Sequence, residues 1–260
     1  MTITVVNRSD LADADLHRAI KAINRQFAEH FEPEWKFGAE LRLHADAPSA
    51  HHGGRVSLAD LPGLHGDAVI YLGDRATLAG AEGYHARNNA NVPFGFVFVD
   101  VCREQRDEWS VALSHEAIEL VGDPLANLLV QGPSPHDDRE LVFYTFELCD
   151  PVTNDSYGID DVQVADFVFP GWFSHGRTVA DGASVAGVVH TDFKRRLERG
   201  DVLRPFATAP GGYLAYYDGR RDGDKWTTWT APDDAVAAQR LAAKKQLAQT
   251  RVERRRRHAG

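Results

Sequence analysis

The sequence predicts helices layered on a mixed β-sheet, in the α+β class. Three observations carry this prediction. Short β-rich runs recur at Ile3 to Val6, Ala68 to Leu72 and, most strongly, in the segment opening Pro93-Phe-Gly-Phe-Val-Phe-Val-Asp-Val. Two segments show apolar residues at helical spacing, one through Leu16, Ile20, Ile23 and Phe27 and one from Trp109 to Val121. Their order is strand, helix, strand, strand, strand, helix, which fits an α/β or α+β layering, and no internal repeat interrupts it.

Taken in order, Ile3 to Val6 is the first strand, and Ser9 is the expected N-cap of the first helix, which continues to Phe31. Trp35 to Leu43 alternates as a second strand. His44 to Gly66 is rich in His, Gly, Pro and Ser and reads as a long loop. Gly80 to Asn91, with its glycines and Asn-Asn pair, reads as irregular. The helix from Trp109 is closed by Gly122-Asp123-Pro124, since glycine and proline both end helices. Gln131 to Asp138 reads as a loop, and Leu141 to Leu148 fits a strand or a helix until Asp150-Pro151 breaks it. Tyr157 to Phe169 is expected to hold two short strands, and Pro170 to Ser184 is loop-like. Ala231 to Arg257, rich in Ala, Gln, Lys and Arg, follows a helical pattern with Pro232 near its start. One domain over residues 1–230 and a basic helical tail over 231–260 is the organisation this implies.

Composition narrows the function classes. The 260 residues are 43% apolar, enough for a substantial core. The net charge of -9 argues against the whole molecule coating nucleic acid. From Arg240 onward there are 8 basic residues and 1 acidic one, leaving 21 basic and 37 acidic before it, a balance of -16. The body is acidic and the tail is basic. The run Arg254 to Arg257 reads first as a solvated helix end. Its functional alternative is docking onto nucleic acid or an acidic partner. Cys102 and Cys149 form no Cys-x-x-Cys pair, so a disulfide framework is not expected. No signal peptide is visible, and no apolar run approaches the roughly 20 residues that span a bilayer. A cytoplasmic protein without membrane contact is expected.

The chemistry concentrates in Ser114-His-Glu-Ala-Ile-Glu-Leu-Val-Gly-Asp-Pro. Residues four apart share a helix face, so His115 and Glu119 can hold one divalent cation between an imidazole nitrogen and a carboxylate oxygen. Glu116 points about 100° away around the helix. In a His-Glu-x-x-His arrangement that position places a general base beside the metal. Around these polar residues the helix is apolar. Burying two carboxylates and an imidazole costs several kcal/mol unless they are paired or bind a metal. Asp123, four residues after Glu119, falls on the same face as a supporting group or extra ligand. A further ligand is sought in Phe146-Glu147-Leu148-Cys149-Asp150-Pro151, where Glu147 is flanked by apolar residues. Asp150 would orient a histidine ligand from outside the metal's own shell.

These motifs resemble the gluzincin branch of the zincin metallopeptidases, and also a group of bacterial His-Glu-x-x-Glu proteins in which a Glu-x-x-Asp-Pro element follows. The resemblance spans about residues 90–175. It implies a zincin-like mixed sheet with an active-site helix. It also implies a site of His115, Glu119 and Glu147 binding zinc, with manganese or calcium as alternatives because Glu119 replaces a histidine by an anion. The activity implied is metal-dependent hydrolysis of a peptide or protein substrate by an activated water, with Glu116 as general base. Tyr157, or else His175, would steady the oxyanion, and the strand Phe94 to Val99 would present an edge to an extended peptide. The alternative keeps the fold as a non-catalytic binding or assembly module, with a structural metal or none.

Other polar residues read more plainly. His51-His52 is a solvated pair, and His85 and His175 are ordinary loop histidines. Cys149 is a small buried side chain without a histidine partner. Tyr213, Tyr216, Tyr217, Trp226 and Trp229 are packing aromatics.

Overall fold

Ile3, Val5 and Val6 are fully buried in strand β1 (Thr2–Arg8), which pairs in parallel with β2 (Glu40–Leu43) on one side and β3 (Ala68–Gly73) on the other. A strand covered on both faces and flanked by parallel neighbours needs a continuous apolar run, which Ile3 to Val6 nearly supplies. β5 (Pro93–Phe98) adds in parallel to β3, and β4 (Gly83–Arg87) closes the sheet antiparallel to β5, giving the order β2-β1-β3-β5-β4. This computed structural model describes residues 1–44, 66–74, 81–174, 190–220 and 226–230. The expected loop after His44, the pair His51-His52, the segment from His175 through Val189 and the basic tail lie outside the described residues.

The molecule is mixed α+β, as expected, but several elements differ in detail. Helix α1 (Asp13–Arg25) is preceded by Ala12 at its cap rather than Ser9. The Ser9 hydroxyl instead donates to Asn7 Oδ1 at 2.7 Å and accepts from the Leu11 N–H at 3.3 Å, holding the turn before the helix. α1 runs into a π-helical turn (Gln26–Phe31) and a short α2 (Glu32–Trp35), so Trp35 ends a helix rather than opening a strand. Lys36 breaks it in the left-handed region at φ 65°. From Ala81 onward, the described part of the Gly80 to Asn91 segment is not irregular. It contains β4, and its asparagines make the hairpin turn. Asn88 Oδ1 accepts from the N–H groups of Ala90 and Val92, both at 2.9 Å, and Asn91 takes φ 60°, which asparagine tolerates. Val99 to Val101 belong to α3 (Val99–Gln105) rather than to the Phe-rich strand. Helix α4 (Trp109–Gly122) packs against β4 and β5.

Where one domain over 1–230 was expected, the chain forms two compact units: Met1–Ala126 with Ser156–Ala165, and Asn127–Asp155 with Asp166–Gly260. The first carries the five-stranded sheet, α1 to α4 and a hairpin of β8 (Ser156–Ile159) and β9 (Val162–Ala165), the two short strands expected after Tyr157. The second has its own core on an antiparallel sheet, in the order β11-β10-β7-β6. Its strands are β6 (Leu129–Pro133), β7 (Leu141–Thr145), β10 (Tyr213–Tyr217) and β11 (Trp226–Thr230). The strand-or-helix ambiguity at Leu141 thus resolves as strand, and β6 takes the first residues of the expected Gln131 loop. Val142, Tyr144, Trp172, Phe206, Leu214 and Tyr216 are buried in that second core. Helix α5 (Phe193–Glu198) belongs to it too. Among the described residues no helix is long and apolar enough to cross a membrane.

Candidate metal centre

α4 is an unusual helix because nearly all of it is buried, from Ser110 and Ala112 through Gly122. An apolar helix inside a first unit of this size is ordinary. Three ionisable side chains in the middle of one are not. His115, Glu116 and Glu119 are 9%, 4% and 0% exposed. His115 and Glu119 lie one turn apart on one face, as their spacing dictates, with His115 Nε2 3.1 Å from Glu119 Oε1. One donor atom from each of His115, Glu116 and Glu119 lies within 4.8 Å of the others, a grouping that can hold a metal ion.

A second histidine lies beside these carboxylates. His85 is buried on β4, with Nδ1 3.4 Å from Glu119 Oε2 and 3.5 Å from Glu116 Oε2. It is not the loop histidine expected. Glu119 therefore presents one oxygen to each imidazole. Glu116 Oε2 is fully buried and accepts no hydrogen bond. The usable signal was a hairpin pattern: a mixed strand, the turn-forming Asn88 to Asn91, then the Phe-rich strand. Gly83, two residues before His85, explains the close approach of β4. A Cβ there would fall 2.8 Å from Glu116 Cγ, Glu116 Oε1 and the Phe96 carbonyl oxygen, so any side chain would push the strand off the helix.

The opposite face of α4 is anchored by hydrogen bonds. Ser110 Oγ donates to the Gln163 carbonyl at 2.8 Å. Ser114 Oγ donates to Gln26 Oε1 at 2.6 Å and accepts from the Ala165 N–H at 3.2 Å. Gln26 Nε2 in turn donates to the Ala165 carbonyl at 2.7 Å and to the Tyr157 hydroxyl at 3.0 Å, which also lies 3.1 Å from His30 Nδ1. The π-helical turn carries both Gln26 and His30 into this network. At 100° per residue, Ser110 and Ser114 lie roughly opposite the arc of His115, Glu119 and Glu116. The Tyr157 hydroxyl is thus bonded behind the helix. Its place is in fixing α4, and the oxyanion role expected of it does not fit this position.

Asp123 is buried at the end of α4, its N–H bonded to the Glu119 carbonyl at 2.8 Å and its own carbonyl accepting from Ala126 at 2.9 Å. Glu147 and Asp150 belong to the second unit. Both are buried there, and they line a small cavity with Tyr144, Trp172 and Tyr213. Asp150 Oδ1 accepts from the Tyr213 hydroxyl at 2.6 Å, so a tyrosine already engages that oxygen. The other oxyanion candidate, His175, lies outside the described residues. The expected substrate edge also shifts: the Phe94 to Val99 strand is interior, between β3 and β4, and β4 is the edge.

No family model, no curated protein and no solved structure matches this chain.

Proposed function

We propose that the protein is a metal-dependent hydrolase of peptide bonds, built on a zincin-like fold around α4. The carrying observation is the buried grouping of His115, Glu116 and Glu119 on one helix. The donor set suits a divalent ion: an imidazole nitrogen and a carboxylate oxygen 3.1 Å apart, with a second carboxylate beside them whose Oε2 accepts no hydrogen bond. His115 and Glu119 would hold the ion, zinc in the first place and manganese or calcium as alternatives. A bound ion supplies Lewis acidity and lowers the pKa of water at the site. Glu116, off the ligand axis, takes the proton from the attacking water and passes it to the leaving amine nitrogen. Its carboxylate lies against the β4 backbone at Gly83, so an extended peptide adding to the edge strand would run close to the base. Mixed strands, an antiparallel edge and a helix bearing the polar residues beneath it support the zincin-like reading.

A second reading, a non-catalytic module, is favoured by the position of His85. A proton on its Nδ1 would sit between both carboxylates and offset their charge without a metal. Metal analysis and peptide-library turnover on wild type and Glu116→Gln separate the two. A hydrolase carries near-stoichiometric zinc in both proteins and loses turnover by about 100-fold or more in the variant. A wild type without bound zinc and without turnover gives the site to the module. The ligand role that the resemblance implies for Glu147 is a separate proposal, read by the same metal analysis on Glu147→Gln.

A further inference from the structure

We infer that His85 is a metal ligand: the second imidazole of the centre, delivered by the sheet's edge strand rather than by the helix. The inference rests on the metal-dependent reading above. His85 is 2% exposed and its Nδ1 is directed at the carboxylates of Glu119 and Glu116, at 3.4 Å and 3.5 Å. Those separations are long for an N–H···O hydrogen bond, which centres near about 2.9 Å. They match the distance between neighbouring ligands of a tetrahedral ion, about 3.3 Å to 3.6 Å for bonds of roughly 2.0 Å to 2.2 Å. The 3.1 Å between His115 Nε2 and Glu119 Oε1 is an edge of similar length. Glu119 is the carboxylate common to both histidines: it groups with His115 and Glu116 as ligands that could hold an ion, and it belongs to a second such group with His85.

Charge points the same way. Histidines bind metals as neutral imidazoles, so a divalent ion with Glu119 and Glu116 beside it makes the buried group neutral overall. The motif on α4 lacks its second histidine because Glu119 stands there, and His85 restores the nitrogen count from another element. Two nitrogens shift the preference to zinc and against calcium, which takes oxygen ligands. Gly83 makes the delivery possible by letting β4 lie against Glu116.

The test loads the full chain with zinc, counts imidazoles by X-ray absorption, and measures zinc affinity by chelator competition for His85→Gln, His85→Ala and His115→Ala. Glutamine at 85 still offers a hydrogen-bond donor to both carboxylates, so it rescues a merely orienting role and not a ligand. Loss of an orienting partner costs about 10- to 100-fold in affinity. The expected result is two imidazoles per zinc in the wild type and a loss beyond about 100-fold in both His85 variants. One imidazole in the wild type, or a His85→Gln affinity within about tenfold of it, overturns the inference. If His115→Ala alone loses zinc, the metal-dependent reading stands and His85 is no ligand. If the wild type takes up neither zinc nor, in parallel loadings, manganese or calcium, both fall together.

Discussion

Each unit buries a cluster of carboxylates, and the two clusters are neutralised in different ways. In the first unit Glu116 and Glu119 face the imidazoles of His85 and His115. In the second, Asp166 and Asp192 are 0% exposed and Asp155 stands with them, gathered around Arg195. Arg195 Nη2 lies 2.8 Å from Asp155, and Nη1 lies 3.3 Å from Asp192 and 4.0 Å from Asp166. Lys194 adds a second cation 3.5 Å from Asp155, and its N–H donates to Asp166 Oδ1 at 2.8 Å. Asp192 caps α5 by accepting from the Arg195 N–H at 2.9 Å. A guanidinium keeps its charge and has no lone pair to give, so Arg195 balances the aspartates without offering a metal a ligand. An imidazole has a lone pair and can give up its proton, so the α4 cluster is open to metals. Burial of acids alone therefore does not mark a site. The chemistry of their partners does.

That contrast is broken most forcefully from the second unit. Arg195→Met keeps the aliphatic stem and removes the guanidinium from three carboxylates, two of them wholly buried. Breaking a buried pair by deleting one partner costs about 3–5 kcal/mol, and Arg195→Met should fall in that range by urea denaturation. Glu119→Gln in zinc-free protein should cost far less, because its neighbours are imidazoles that can shed their protons. Equal losses would mean that the α4 cluster is a fixed ion network like the other.

A smaller effect is expected behind α4. Ser114→Ala removes the hydroxyl that donates to Gln26 Oε1 and accepts from the Ala165 N–H, leaving two buried groups unsatisfied. Each such group costs about 1–3 kcal/mol. Because Ser114 precedes His115, the same variant should loosen zinc without touching a ligand, by the 10- to 100-fold typical of supporting groups, roughly. Loss of stability with unchanged zinc affinity would confine the network to folding.

How far this could be read from sequence follows from which interactions are local. His115, Glu116 and Glu119 were legible because helix periodicity fixes their geometry within one turn. The strands β1, β3 and β5 were legible because their β-rich runs are continuous. His85 was not, since it reaches α4 only through the pairing of β4 with β5, a register that the sequence near residue 85 does not state. Tyr157 looked available for the same reason: its bond to Gln26 joins residues 131 positions apart. The division into two units was hidden because the chain leaves the first core at Asn127, returns for Ser156–Ala165 and leaves again, with no linker composition at any crossing.

The finest difference between the clusters concerns protons. The Asp166 carboxyl has its pKa raised well above the ordinary 3.8, first because burial withholds water from its charge and then because Asp192 lies beside it. N–H bonds from Lys194 and Phe167 oppose the shift without cancelling it. Above pH 3.8 the native state therefore holds more protons at this position than the unfolded chain does. The stability this contributes is fully present below the unfolded pKa and is lost as pH rises through the native one. Asp166→Asn keeps an acceptor for the Lys194 N–H and deletes the titration. Relative to wild type, the variant should gain stability steadily as pH rises from about 4 toward neutrality, read as diverging urea midpoints. Midpoints that stay parallel would mean that Arg195, 4.0 Å away, holds Asp166 ionised throughout. The second cluster would then be neutralised by cations alone, and protons would matter only where imidazoles are.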